Sequence, residues 1–204
     1  MDPQTQPPAD IMERLETAEQ LKLGGKHCEA LTILEDLLVE DPENVAALEE
    51  VADNELSLER MERAEAAAKE AIALDTESYT AHYILGFLES QQEKWTSALG
   101  HLKKSNILKP NNPEILRCLG WVLFHAGERA QGIVTLERAL NLESDNPLTL
   151  CDLGVTYLEL KNFGKARSLF QRSLDLDPGN ERARECVQAI DRLERTVEEM
   201  GMKK

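Results

Sequence analysis

The chain is poor in several things at once. It has four cysteines in 204 residues, none in a paired spacing, which excludes a disulfide framework and any CxxC metal or redox motif. No HExxH occurs either. No apolar run approaches the roughly 18 residues that a membrane-spanning helix needs. Positive charge is short, with 23 Lys and Arg against 38 Asp and Glu and a formal net charge of −15. That balance argues against nucleic acid or an anionic membrane as the bulk partner. Phosphate-binding glycine loops are missing, because Gly24-Gly25 has neither the preceding strand nor the following Lys-Ser/Thr. It reads as a turn. Met1 to Asp10 is acidic and Pro-rich without a basic flank or apolar stretch. It resembles neither a secretory signal nor a transit peptide, so the expected location is cytoplasmic, and residues 1–10 are expected to be disordered. Aromatics make up only 4% of the chain.

What is present is a period. Leu85-Gly86, Leu119-Gly120 and Leu153-Gly154 are spaced by 34 residues. Ala98 and Ala166 follow the first and third glycines by 12, Leu102, Leu136 and Phe170 follow each by 16, and Pro110 and Pro178 follow the first and third by 24. A fixed period of this length marks a repeat architecture. Carried backwards, the frame gives units 11–44, 45–78, 79–112, 113–146 and 147–180. Each reads as two amphipathic helices. In the last, Leu150, Leu153, Tyr157 and Leu158 have 3–4 spacing, and Ala166, Leu169, Phe170 and Leu174 repeat it. Asp177-Pro178-Gly179-Asn180 then ends the second helix. Small residues such as Gly86, Gly120, Gly154, Ala98 and Ala166 permit close helix approach beside Tyr157 and Phe170. No helix pair buries both of its faces, so the units must stack. Residues 181–199 continue the apolar pattern through Ala183, Val187, Ile190, Leu193 and Val197 and read as a capping helix, with 200–204 loose.

The period, the Leu153-Gly154-Val155-Thr156-Tyr157 run, Ala166, Phe170 and Pro178 resemble the tetratricopeptide repeat over about 170 of the 204 residues. The resemblance implies an all-α, right-handed superhelical solenoid of five helix-turn-helix units plus the C-terminal cap. Departures are Arg14, Leu48, His82, Leu116 and Leu150 at the place of the family tryptophan, Thr76 and Ser144 at the place of proline, and Gly132 at that of the second-helix alanine.

The resemblance also implies a concave face that holds peptides. Its positions in the third unit fall on Thr80, Tyr83, Phe87, Ser90 and Gln91; in the fourth on Glu114, Arg117, Trp121, Phe124 and His125; in the fifth on Leu148, Cys151, Val155, Leu158 and Glu159. Four aromatics (Tyr83, Phe87, Trp121, Phe124) lie there. An exposed aromatic cluster with an Arg beside it is hot-spot chemistry. The expected binding set is Tyr83, Phe87, Arg117, Trp121, Phe124, His125, Leu148, Val155 and Leu158. Phe87, Trp121 and Phe124 would bury apolar side chains, and Arg117 would hold a carbonyl or carboxylate. The alternative is that these residues pack within or between units.

Charge is uneven. Residues 11–44 and 45–78 carry −6 and −7, so nearly all the net charge lies in the first 78 residues. Glu19, Glu49, Glu50 and Asp53 form an acidic patch, read either as a solubility feature or as steering for a basic partner. A subset of the family clamps the acidic tails of heat-shock chaperones with Lys, Asn and Arg. This chain offers residues such as Glu49, Asp53, Ile84, Glu114 and Cys118 at those places, so a clamp is not expected. The reading is a non-catalytic protein- or peptide-binding scaffold or adaptor, with no enzyme activity, metal or cofactor. Alternatives are an accessory chaperone for an apolar client segment, a self-assembling scaffold, and a metal protein or enzyme using Cys118, Cys151 and His125.

Overall fold

The computed structural model describes the backbone of residues 9–201 and the side chains of 10–196. Residues 1–8 and 202–204 lie outside the described residues, and the expected terminal disorder falls mostly on them. The described part is all α-helical. Two compact units divide the chain, Met1–Pro110 and Asn111–Lys204.

The first unit holds α1 (Ala9–Leu23), α2 (His27–Glu40), α3 (Val45–Ser57), α4 (Met61–Leu74), α5 (Tyr79–Gln91) and α6 (Trp95–Leu108). The second holds α7 (Pro113–His125), α8 (Arg129–Leu142), α9 (Pro147–Glu159), α10 (Phe163–Leu176) and α11 (Glu181–Gly201). Ala9 and Asp10 belong to α1 rather than to a tail, and Asp10 places a carboxylate in the positive first turn. Likewise α11 runs to Gly201, past the expected end at 199.

Local chemistry sets both ends of the hairpin helices. At the turn inside each hairpin, Gly25, Glu59, Glu93, Gly127 and Lys161 take positive φ. The next residue donates its N–H five residues back, as in Lys26 to Leu21 (2.8 Å) and Asn162 to Tyr157 (2.9 Å). That is a Schellman closure, which uses carbonyls left over at a helix end. The helix that opens each following hairpin, and α11 after the last, is capped by a side chain. Asn44, Ser78, Asn112, Asn146 and Asn180 accept from the N–H of Ala47, Ala81, Ile115, Thr149 and Ala183 at 2.9–3.1 Å. Such a cap is worth about 1 kcal/mol. Where Thr76 replaces proline, α4 still stops at Leu74, because Asp75 accepts the Glu77 N–H at 2.8 Å and forms an Asx turn.

Close approach holds each hairpin together. A Cβ on Gly86 would lie 2.6 Å from Leu102 Cγ, and one on Gly154 would lie 2.6 Å from Phe170 Cε1. Ala98, Leu102, Ala166 and Phe170 are fully buried. The core of the first unit is rich in alanine, with Ala18, Ala30, Ala52, Ala64 and Ala68 inaccessible beside Leu34 and Leu37. In the second unit Phe170 anchors a cluster with Cys151, Ala166, Ala183 and Ile190, against which Tyr157, Cys186 and Val187 pack. Tyr157 itself is half-buried, and its hydroxyl donates to Glu137 at 2.9 Å. Pro110 and Pro178 are exposed.

Candidate functional site

In the second unit the first helix of each hairpin and α11 contribute one connected group of side chains. Arg117 on α7 reaches Asp152 on α9 at 2.9 Å and Glu114 on its own helix at 2.6 Å. Arg182 on α11 approaches the other oxygen of Asp152 at 3.5 Å. The side chains of Asp152 and Arg117 are only 8% and 12% exposed. Burial works against the charge of Arg117, but Cys118, Glu114 and Asp152 around it outweigh that and hold its pKa above the ordinary value. Burial also pushes the Asp152 carboxyl up, opposed by the two guanidinium groups.

Arg117 is therefore paired within the unit, with Asp152 and Glu114, where the expectation had it hold a partner's carbonyl or carboxylate. Arg182 is different. Its side chain is 53% exposed, and its guanidinium lies 5.2 Å from the centre of the Trp121 ring. Cation–π contact of this kind orients an Arg without consuming its outward-facing donors. Trp121 in turn stands 4.2 Å from the His125 ring.

Phe124 departs from the expected lining. It is 1% exposed, so it is a core residue and not part of a lining. Its ring lies under Arg129 of α8, 5.6 Å from the guanidinium carbon. Gly132, one turn further along α8, lets that helix lie against the backbone of α7 at Gly120 and Phe124. Leu148 is 54% exposed, while Val155 and Leu158 are half-buried and pack against the Phe170 cluster. Cys118 and Cys151 are buried. Burial pushes the Cys151 thiol up to about 11, which leaves it protonated at neutral pH and a poor nucleophile.

The first unit carries Tyr83 and Phe87 on α5, their rings 6.5 Å apart and both half-buried against the alanine-rich core. Its acidic residues are partly neutralised. Lys22 on α1 contacts Glu50 at 2.8 Å and Asp53 at 2.9 Å on α3. Burial disfavours the Lys22 ammonium, and these two carboxylates outweigh that and raise its pKa. Burial raises the Glu49 carboxyl, against a hydrogen bond donated by the Ser78 hydroxyl. Glu19 is exposed. Among the described residues no three His, Cys, Asp or Glu side chains gather as a metal-binding group. No helix among them is long and apolar enough to cross a membrane.

Helix pairs closed by small residues recur along the sequence, and family models for the tetratricopeptide repeat match residues 24–78, 52–113 and 147–180. The chain is a member of the tetratricopeptide repeat family. Solved structures agree at the level of the fold. A thermophilic TPR protein of Thermus thermophilus aligns at a TM-score of 0.67 and 24% identity, covering 88% of this chain and 97% of that one. YrrB, described as a TPR protein with an unusual peptide-binding site, aligns at 0.62 and 19% identity over 86% and 90%. The Cut9–Hcn1 assembly of the APC/C gives 0.76 at 21% identity, covering 87% of this chain but 35% of that one. No curated protein matches the sequence. The tetratricopeptide repeat fold is in general a protein–protein interaction scaffold.

Two features of this tetratricopeptide repeat protein escaped sequence reasoning. Arg182 has no role in the sequence reading of the cap. Extending the 34-residue frame past 180 puts it one period after Leu148, on the same helix face. The caps at Asn44, Ser78, Asn112, Asn146 and Asn180 also keep the 34-residue period, a signal present in the sequence all along.

Proposed function

We propose that the protein is a non-catalytic scaffold that holds a segment of a partner protein against the face of the second unit formed by α7, α9 and α11. The observation that carries this reading is the pairing of the half-exposed Arg182 with the Trp121 ring at 5.2 Å, backed by Asp152 at 3.5 Å. An aromatic plane supplies buried area at low entropic cost, and a pre-oriented guanidinium offers donors to a backbone carbonyl or a carboxylate. Leu148, Val155 and Leu158 on α9 extend the surface with apolar area. The described peptide-binding site of YrrB, a protein of the same fold, supports a peptide as ligand. In the first unit, Tyr83 and Phe87 with Glu19, Glu49, Glu50 and Asp53 suit a segment bearing basic side chains.

The experiment compares proteins captured by the wild-type chain and by Trp121→Ala, followed by affinity measurement on those lost with the variant. Truncating a hot-spot Trp weakens binding by about 2 kcal/mol or more, roughly thirtyfold. Arg182→Ala should weaken the same partners. An unchanged set of partners at unchanged affinity, with helix content intact, removes Trp121 and its face from the binding surface.

A further inference from the structure

His82 on α5 and His101 on α6 meet across the third hairpin, inside the first compact unit. Their Nδ1 atoms are 2.9 Å apart, and the ring centres are 5.1 Å apart with the planes tilted by 41°. The other nitrogen of His82, Nε2, lies 3.3 Å from the carbonyl oxygen of Thr76. A carbonyl only accepts, so Nε2 carries the hydrogen and His82 Nδ1 presents its lone pair to His101. In the neutral pair His101 Nδ1–H is then the donor. Both rings are half-buried, and they are mounted on two helices locked together by the close contact of Gly86 with Leu102 and Ala98.

This is the arrangement of a metal-binding imidazole with its outer support already in place. A ligating His usually donates its second ring N–H to a carbonyl, which fixes the tautomer and aims the free lone pair. His82 has that bond. His101 needs only to move its proton from Nδ1 to Nε2 to present a second lone pair at the same place. The observed 2.9 Å is the length of the hydrogen bond between the two rings. Chelation replaces the shared proton with a metal ion, each ring turning about its side-chain torsions until the two lone pairs converge on it.

We propose that His82 and His101 form a two-imidazole chelate for a divalent late transition-metal ion, Cu²⁺ in preference to Zn²⁺, with water completing the coordination shell. The preference follows from the general affinity order, in which Cu²⁺ exceeds Zn²⁺ at nitrogen sites. The bound ion ties α5 to α6, and because the unfolded chain cannot hold the two rings together, occupancy stabilises the folded state by mass action. Lys104 lies within electrostatic reach of His82 and opposes a cation there, which sets the site apart from a permanently loaded structural one.

The test uses the full chain without a histidine tag. Cu²⁺ and Zn²⁺ are titrated by calorimetry, and the Cu²⁺ form is examined by electron paramagnetic resonance. The expected result is one Cu²⁺ per chain, bound at least tenfold more tightly than Zn²⁺, with two nitrogen couplings in the spectrum. His101→Gln, which keeps a hydrogen-bonding partner for His82, should lose at least tenfold in Cu²⁺ affinity and one nitrogen coupling. His82→Ala should do the same, whereas His27→Ala and His125→Ala should change neither. Lys104→Gln should tighten binding. Cu²⁺ affinity and spectrum unchanged in His101→Gln overturn the assignment. If that variant fails to fold, the wild-type spectrum still decides, because a single nitrogen coupling or none overturns it too.

Discussion

Replacing Gly132 by alanine puts at that position the residue that neighbouring hairpins carry there, and it should nevertheless destabilise the second unit. Ala98 and Ala166, one repeat before and after, are fully buried. At Gly132 an added Cβ would lie 2.6 Å from Phe124 N, 2.7 Å from Gly120 O and 2.8 Å from Phe124 Cβ. All three are main-chain atoms or fixed to the main chain, so no side chain can rotate away and α8 itself must move. Overpacking of this kind costs about 1–3 kcal/mol, against a helix-propensity gain of about 1 kcal/mol for Gly→Ala. The net expectation is a loss of up to about 2 kcal/mol. Gly100 in α6 is the matched control, since its Cβ would meet nothing within 4 Å, and Gly100→Ala should gain about 1 kcal/mol. Urea unfolding followed by tryptophan emission separates the two units. Trp121 reports on the second once Trp95 is changed to Phe, and Trp95 on the first once Trp121 is changed. The refuting result is Gly132→Ala moving the midpoint upwards as Gly100→Ala does, which would mean that α7 and α8 do not meet at van der Waals limits.

Asp152→Ala should cost about 3 kcal/mol by urea unfolding of the second unit, because it strands the buried Arg117 with only Glu114 as partner. A loss below about 1 kcal/mol would mean that the carboxylate is already solvated. Glu49→Gln should stabilise the first unit at pH 7. Burial raises the folded carboxyl above its unfolded value, so the ionised form lowers stability above the folded pKa, and that penalty vanishes as the pH falls below the unfolded one. The advantage of the glutamine variant should therefore shrink towards zero near pH 4, and equal stability of the two proteins at pH 7 would contradict the cause assigned here.

The helix pairs were legible because three features repeat in register, namely glycine in the first helix, a bulky residue 16 later and a helix stop at the end. Each is a local steric rule that survives without knowledge of the rest of the chain. The candidate surface was legible only in part. The family frame puts Trp121 and Phe124 on the same face, but Phe124 turns under α8, where Gly132 lets the two helices close. That outcome depends on a missing side chain on another helix. Arg117 shows its i−3 neighbour Glu114 in the sequence, yet its main partner Asp152 is 35 residues away and comes within reach only when α7 and α9 lie side by side. Arg182 joins the surface because α11 continues the register of the hairpins, one period after Leu148.

The five side-chain caps have a consequence for how such a chain changes over generations. The helices α3, α5, α7, α9 and α11 take their start signals from the residues just before them, Asn44, Ser78, Asn112, Asn146 and Asn180. The turn inside each hairpin is closed by its own backbone. A gene segment of 34 codons cut just before these points carries its own start and its own turn, and the cap that opens the next block supplies the start of whatever follows it. Duplicating or deleting such a block leaves the helix boundaries on both sides correctly punctuated, whereas a block one or two codons longer or shorter would move the next cap out of step and shift an apolar stripe to the wrong face.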